Sequence, residues 1–165
     1  KKQACCITNG GGNVPKAKIN SDGIDEIFQT LRRLGEDAEG IAKLGIYEGA
    51  GLIADAVRAN IDGIRTGGKS DWETRRREMQ KAGLREGLTT SPIQPFKGGI
   101  YGGVGFDGYN AKGQPNQLIA RVFNSGTSFS SKQAFFESAV RRTRSAAKQR
   151  VIDKMNEEFE KIAKG

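Results

Sequence analysis

Residues 63–70 read G-I-R-T-G-G-K-S and match the phosphate-binding pattern G-x-x-x-x-G-K-[ST] at every fixed position. In that chemistry backbone N–H groups cradle phosphates, Lys69 would reach the terminal phosphates, and Ser70 would hold magnesium. It also needs a buried β-strand leading into the loop and a helix leaving it. Here residues 52–61 lead in, and their apolar spacing is helical. No second strand ending in aspartate offers to complete a metal site. A flexible Gly-rich connection explains the letters better than a P-loop nucleotide hydrolase, which stays as an alternative from the enzyme class. Gly103, Gly105 and Gly108 match G-x-G-x-x-G. A dinucleotide site requires a helix to start there, whereas residues 109–115 have turn composition.

The chain contains no histidine. That removes the most versatile acid–base group near neutral pH and the commonest metal ligand, and the usual base of a nucleophilic triad. Ser125 therefore has no histidine partner. The carboxylates show neither a paired arrangement nor the spacing of an all-oxygen metal site. The expectation is a protein that is not an enzyme, with no cofactor and no bound metal. Cys5 and Cys6 are the only cysteines and are adjacent, which builds no disulfide framework and suggests a reducing compartment.

The remaining candidates are contact residues. The net charge is +8 over 165 residues, which favours an acidic partner such as nucleic acid or an acidic protein surface. Basic side chains concentrate at 75–85 and 141–150. Arg75, Arg76, Arg77, Lys81 and Arg85 are the candidate contact to DNA or to an acidic partner; the plainer alternative is a solvated helix face.

Several elements must position these groups. Hydrophobic residues make up 36% and charged residues 28%, enough for one domain with a thin core. Glycine occurs 23 times, against roughly 12 expected from average usage. Residues 1–15 are Gly- and Asn-rich and are expected to be a flexible segment; residues 16–165 are expected to form a single domain. Residues 15–20 suggest a short edge strand. Ile24, Ile27, Phe28, Leu31 and Leu34 follow at helical spacing, and Gly35 ends that helix. A second helix is expected over 37–61, with Ile41, Leu44, Tyr47 (or Glu48), Leu52, Ile53, Ala56 and Val57 on its apolar side. Its glycines, each costing roughly 1 kcal/mol relative to alanine in a helix, must be offset by packing. A short basic helix is expected from 71 to about 81, after which residues 83–88 lead into a β region. Ile100, Val104 and Phe106 suggest a strand interrupted by glycine. It should pair as an antiparallel hairpin with a strand at 118–123 across a turn at 108–115. Residues 132–163 carry the clearest pattern, a long amphipathic helix with Phe135, Phe136, Ala139, Val140, Thr143, Ala147, Val151, Met155, Phe159 and Ile162 on one face. Gly126 is expected at positive φ in a turn. No apolar run reaches the length of a membrane span, and Lys1 and Lys2 are not followed by a signal-peptide core. The first residue is lysine, so the N-terminus is expected to be missing or processed.

Taken in order, several segments resemble one family. Gly23-Ile24-Asp25-Glu26-Ile27 follows a candidate strand. Gly83-Leu84-Arg85 comes later, with Leu88 two residues past Glu86. Val104-Gly105-Phe106-Asp107 lies in the hairpin region. Asn124-Ser125-Gly126-Thr127 then precedes Phe135 and Phe136 at the head of the last helix. This ordered set, spread over about residues 16–163, resembles the neck or tail-completion (head–tail joining) proteins of siphophages, typified by the tenth gene product of a lambdoid phage. No single motif is specific; the order carries the likeness. Gln133-Ala134 stands where the family often has proline before the aromatic, and Gly87 replaces its frequent serine.

The resemblance implies an α+β protomer, a small antiparallel β-sheet packed with long α-helices, including a long C-terminal amphipathic helix. It implies a virion structural subunit assembled in the host cytoplasm and placed in the neck of the tail. There it would form a homo-oligomeric ring around the DNA channel, a hexamer by analogy with tail symmetry or else a dodecamer. Its partners would be its own copies, the head-completion or connector protein, the tail-terminator or tail-tube protein, and DNA in the lumen, with no membrane. Ring closure needs one patch to meet a different patch. The glycine-laced second helix and the hairpin are the candidate patches, through Gly45, Gly49, Gly51, Tyr101, Val104 and Phe106. The alternative from another class is a small basic protein that binds DNA without regard to sequence.

Overall fold

The computed structural model describes residues 17–18, 37–96, 99–128 and 130–164. Helix α1 (Asp37–Asp62) runs 26 residues, about 39 Å at 1.5 Å per residue. Helix α2 (Asp71–Gly87) follows, then α3 (Asn116–Ser125) and α4 (Phe135–Lys164). Strands β1 (Ala17–Lys18), β2 (Leu88–Thr90), β3 (Gln94–Phe96), β4 (Gly99–Tyr101) and β5 (Gly103–Phe106) form two small antiparallel sheets, ordered β1-β5-β2 and β3-β4. The fold is α+β, as expected. The helix expected over 24–34, the flexible 1–15 segment and both cysteines lie outside the described residues.

Antiparallel α1 and α4 form the spine. At one end the Asn60 amide donates to the Phe135 carbonyl at 2.7 Å and to Ser138 Oγ at 3.0 Å. Midway Arg150 Nη2 pairs with Glu48 at 3.1 Å. Toward the start of α1, Val151 and Met155 pack with Ala38, Ile41 and Ala42. The main core gathers at the Asn60 end, from Val57, Ile61, Leu84, Phe106, Ile119, Phe123, Phe135 and Phe136. Strand β5 lies at the centre of its sheet, with Leu88 opposite Phe106 and Ala17 opposite Val104. Its alternation sends Val104 and Phe106 inward, as a half-buried strand requires. Phe106, Phe135 and Phe136 meet edge to face or tilted, with ring centroids 6.0 to 6.5 Å apart. Such contacts add to the burial of each ring.

Four expectations need correction. Residues 118–123 are not a strand but the body of α3, so the expected hairpin is absent, and β5 pairs with β1 and β2 instead. Ile119, Ala120, Phe123 and Asn124 are buried, a spacing of three and four that belongs to a helix; the β-branched Ile119 and Val122 favour strand only as isolated preferences. Residues 83–87 are helical, and α2 runs six residues past its expected end. Gly83 and Gly87 lie in that stretch because α3 comes close: a Cβ at Gly83 would sit 2.7 Å from Asn110 Cβ and 2.8 Å from Asn116 Oδ1. The last helix starts at Phe135 rather than 132. Ala134 has φ 45° and breaks the helical path, and the Gln133 and Ala134 N–H groups donate to Phe123 and Asn124 carbonyls. The fourth correction is the inner face of α1. Leu44 and Tyr47 are about half exposed, while Gly45, Ile46, Gly49 and Ala50 are buried.

The start of α4 is closed by α3. Asn124 Oδ1 accepts the N–H groups of Phe136 at 3.1 Å and Glu137 at 3.3 Å. A buried side chain from another helix thus satisfies donors that a helix start leaves orphaned. Gly126 ends α3 at φ 76°, as expected, and a Cβ there would meet the Ser130 carbonyl at 2.9 Å.

Candidate functional site

The basic helix has two different faces. Arg77, Lys81 and Arg85 are four residues apart and so line one side of α2. Arg77 donates to the Gly67 carbonyl at 2.7 Å, Lys81 Nζ to the Asp62 carbonyl at 2.6 Å, and Arg85 to the Asp62 carboxylate at 3.1 Å. Asp62 is the last residue of α1, where unpaired carbonyls and the helix dipole favour cations. Two of the five candidate contact residues, Lys81 and Arg85, therefore close the end of α1, and a third, Arg77, holds the loop that follows it. Arg75 and Arg76 point the other way. Both are exposed and make no ion pair or hydrogen bond among the described residues. Arg141 and Arg144 on α4 are exposed in the same sense, whereas Arg142 reaches Asn60 Oδ1 at 3.3 Å. Free cations thus lie on α2, on α3 (Arg121) and on α4, and α4 contributes a pair that the contact candidates on α2 left out. The cluster at 141–150 was its sequence signal.

The loop at 63–70 is fed by α1, a helix, and so lacks the strand that positions a phosphate cradle. Two of the donors nearest the lysine are already used. The Lys69 N–H donates to Glu73 Oε2 at 2.7 Å, and the Gly68 N–H to Thr74 Oγ1 at 3.1 Å. A carboxylate thus stands where an anion would have to bind. Gly103, Gly105 and Gly108 lie on β5 and the turn after it, with Gly108 at φ 71°; no helix starts there. Among the described residues no group of three or more acidic or cysteine side chains could hold a metal ion, and no helix is long and apolar enough to cross a membrane.

The candidate interface residues separate as well. Val104 and Phe106 are 2% exposed and belong to the protomer's own core. Gly45 is used internally too: a Cβ there would lie 2.8 Å from Met155 Cγ and 3.0 Å from the Val151 carbonyl, so its missing side chain is what lets α4 approach. Gly49 is buried, and Tyr101 is half-buried on β4. Gly51 alone faces open space, with nothing within 4 Å of a Cβ built there.

Gly51 lies in a groove of about 440 Å³ between the outer face of α1 and the flank of α4. Leu44, Tyr47 and Leu52 give its apolar surface, and Glu48, Asp55, Arg150 and Lys154 its rim. Leu44 and Tyr47 recur at helical spacing with Gly51 on the side of α1 turned away from the core. The rim charges are paired, Glu48 with Arg150, Asp55 with Arg58 at 2.7 Å, and Lys154 with Glu158 at 2.9 Å. Hydrogen bonding to Glu158 first and Glu157 second holds the Lys154 ammonium above its ordinary range. Lys161 first and Lys154 second hold the Glu158 carboxyl below its own. What remains available in the groove is apolar surface. No protein-family model, curated protein or solved structure matches the chain.

Proposed function

We propose that the chain is a non-enzymatic structural subunit of a bacteriophage head–tail connection, one that assembles with its own copies into a ring around the DNA channel. The observation that carries this is the outer face of α1. A long helix, already packed on α4 along its inner side, keeps Leu44, Tyr47 and Leu52 in an open groove on its other side. Exposed apolar surface of this kind is costly in a monomer and marks a binding surface. The ordered likeness to neck proteins supports the same function, and the α+β protomer with a long C-terminal helix agrees with it.

Negative-stain electron microscopy of the purified protein, alone and with its neighbouring neck proteins, tests the proposal. Closed rings with a hole wide enough for duplex DNA are expected. Particles that stay monomeric alone and with those partners would remove it.

One observation favours a second activity. Arg75, Arg76, Arg141 and Arg144 leave four exposed cations without protein partners, which suits weak, sequence-independent attraction to a phosphate backbone. A gel shift should show weak binding that falls steeply with salt and is reduced by R75E/R76E. Tight, salt-insensitive binding would argue against a lumen contact.

A further inference from the structure

We infer that copies of this chain join head to tail, the Tyr109–Leu118 tip of one copy seating in the α1–α4 groove of the next. This rests on the proposed self-assembly and names the two surfaces that meet.

The first surface is the groove. Leu44 and Tyr47 are 48% and 49% exposed, and the space over Gly51 leaves room for an incoming side chain. The second is the tip formed by the turn after β5 and the first turn of α3. Tyr109 is 71% exposed and Leu118 is 55% exposed. Tyr109 bridges to Pro115, and the Leu118 N–H donates to the Pro115 carbonyl at 3.1 Å, so the two apolar side chains share one tip. That tip is held in shape before anything binds. Asn110 Oδ1 accepts the Lys112 and Gln114 N–H groups at 3.0 and 2.9 Å, and Asn116 Nδ2 donates to the Asp107 carbonyl at 2.8 Å. A pre-formed tip loses little freedom on docking.

Charge favours the same pairing. Around the groove, residues 37–58 and 150–161 hold eight acidic against five basic side chains, Arg58 being the partner of the rim's Asp55. The segments that carry the rest of the protomer with the tip, residues 60–87 and 107–148, hold fourteen basic against seven acidic. Exposed Lys112 and Arg121 flank the tip directly. Opposite ends of one chain are therefore complementary in both apolar surface and charge, which steers encounter and fixes orientation. One copy cannot fill its own groove. The tip packs on Gly83 and Gly87 of α2, and Arg85 ties that end of α2 to the end of α1, whereas the groove lies along the middle of α1, from Leu44 to Asp55. Two different patches meeting is the heterologous contact from which rings and filaments are built.

The test uses two single variants, Tyr47→Cys and Leu118→Cys, each with Cys5→Ser and Cys6→Ser. Both positions are exposed, and circular dichroism checks the fold. The two proteins are mixed, oxidised mildly, and run on a non-reducing gel. A disulfide-linked dimer is expected in the mixture and in neither protein alone, with its yield falling severalfold as salt is raised. A dimer from Tyr47→Cys alone would mean like meets like and would overturn the inference. Rings without a mixed dimer would also overturn it while leaving the proposed function standing. A mixed dimer in open filaments would keep the pairing and remove the ring. A monomer at every concentration would overturn both.

Discussion

The two halves of the α1–α4 pair solve the same packing problem differently. At the Asn60 end, large side chains from five elements close on one another, and half-buried Asn60 and buried Asn124 tie the helix ends together. At the Gly45 end the contact is mainly between two helices, with Ile100 of β4 packed beside them. They meet closely because Gly45 has no side chain, and the large residues Leu44, Tyr47 and Leu52 are left on the outside. The first half is self-sufficient; the second keeps apolar surface for something else. One helix pair can therefore provide both the rigidity of a protomer and a surface for assembly.

The contrast predicts effects of decreasing size. Phe135→Ala should cost about 3–5 kcal/mol in urea unfolding, because three rings lose their common contact; a loss below 1 kcal/mol would mean the first half is not the anchor. Gly45→Leu should cost about 1–3 kcal/mol by forcing α4 away. Gly51→Leu should leave unfolding almost unchanged while reducing association in sedimentation; equal destabilisation by both would erase the distinction between inner and outer glycines. Asn124→Ala should cost about 0.5–2 kcal/mol through the lost closure of α4, with faster amide exchange at Phe136 and Glu137. Lys81→Met should cost about 0.3–1 kcal/mol by removing a cation from the end of α1.

The smallest effect concerns pH. Glu158 has its folded pKa lowered, so its stabilising share is present above the ordinary carboxylate range and is lost as pH falls through the folded value. Lys154 has its folded pKa raised, so its share is present below the ordinary lysine range and is lost as pH rises through the folded value. The last turns of α4 should fray at both extremes and hold between them. Amide exchange at residues 154–161 should show this, and a fraying profile flat across pH would count against the cluster.

The long helices were legible because burial along most of their length repeats a 3.6-residue period. Phe135 and Phe136 fall on the apolar face for the same reason, and both are buried. The face of α1 was misread because apolar pattern weighs large side chains, whereas helices approach closest where side chains are absent. Leu44 and Tyr47 thus suggested the inside, and Gly45 and Gly49 occupy it. Helix α3 differs from the expected strand because a short apolar run fits either period, and its identity is settled by contacts with α2 and α4 outside the run itself. The basic helix was legible as a helix but not as a cap, since the carbonyls that Lys81 meets carry no letter in the sequence. The groove had only its residues visible; what makes it a groove is the flank of α4, roughly a hundred positions away.

The end of α1 also sets a timetable. Asn60 finds its partners only when residues 135 and 138 arrive, and β1 finds its neighbour only when residue 104 has been made. Contacts between such distant positions form late and slow folding. On the ribosome the part of α1 that packs on α4 must wait for that partner until α4 emerges. A chain stopped short of α4 should therefore be sticky and prone to capture by chaperones, and any partner for the folded protomer has to act after α4 is in place.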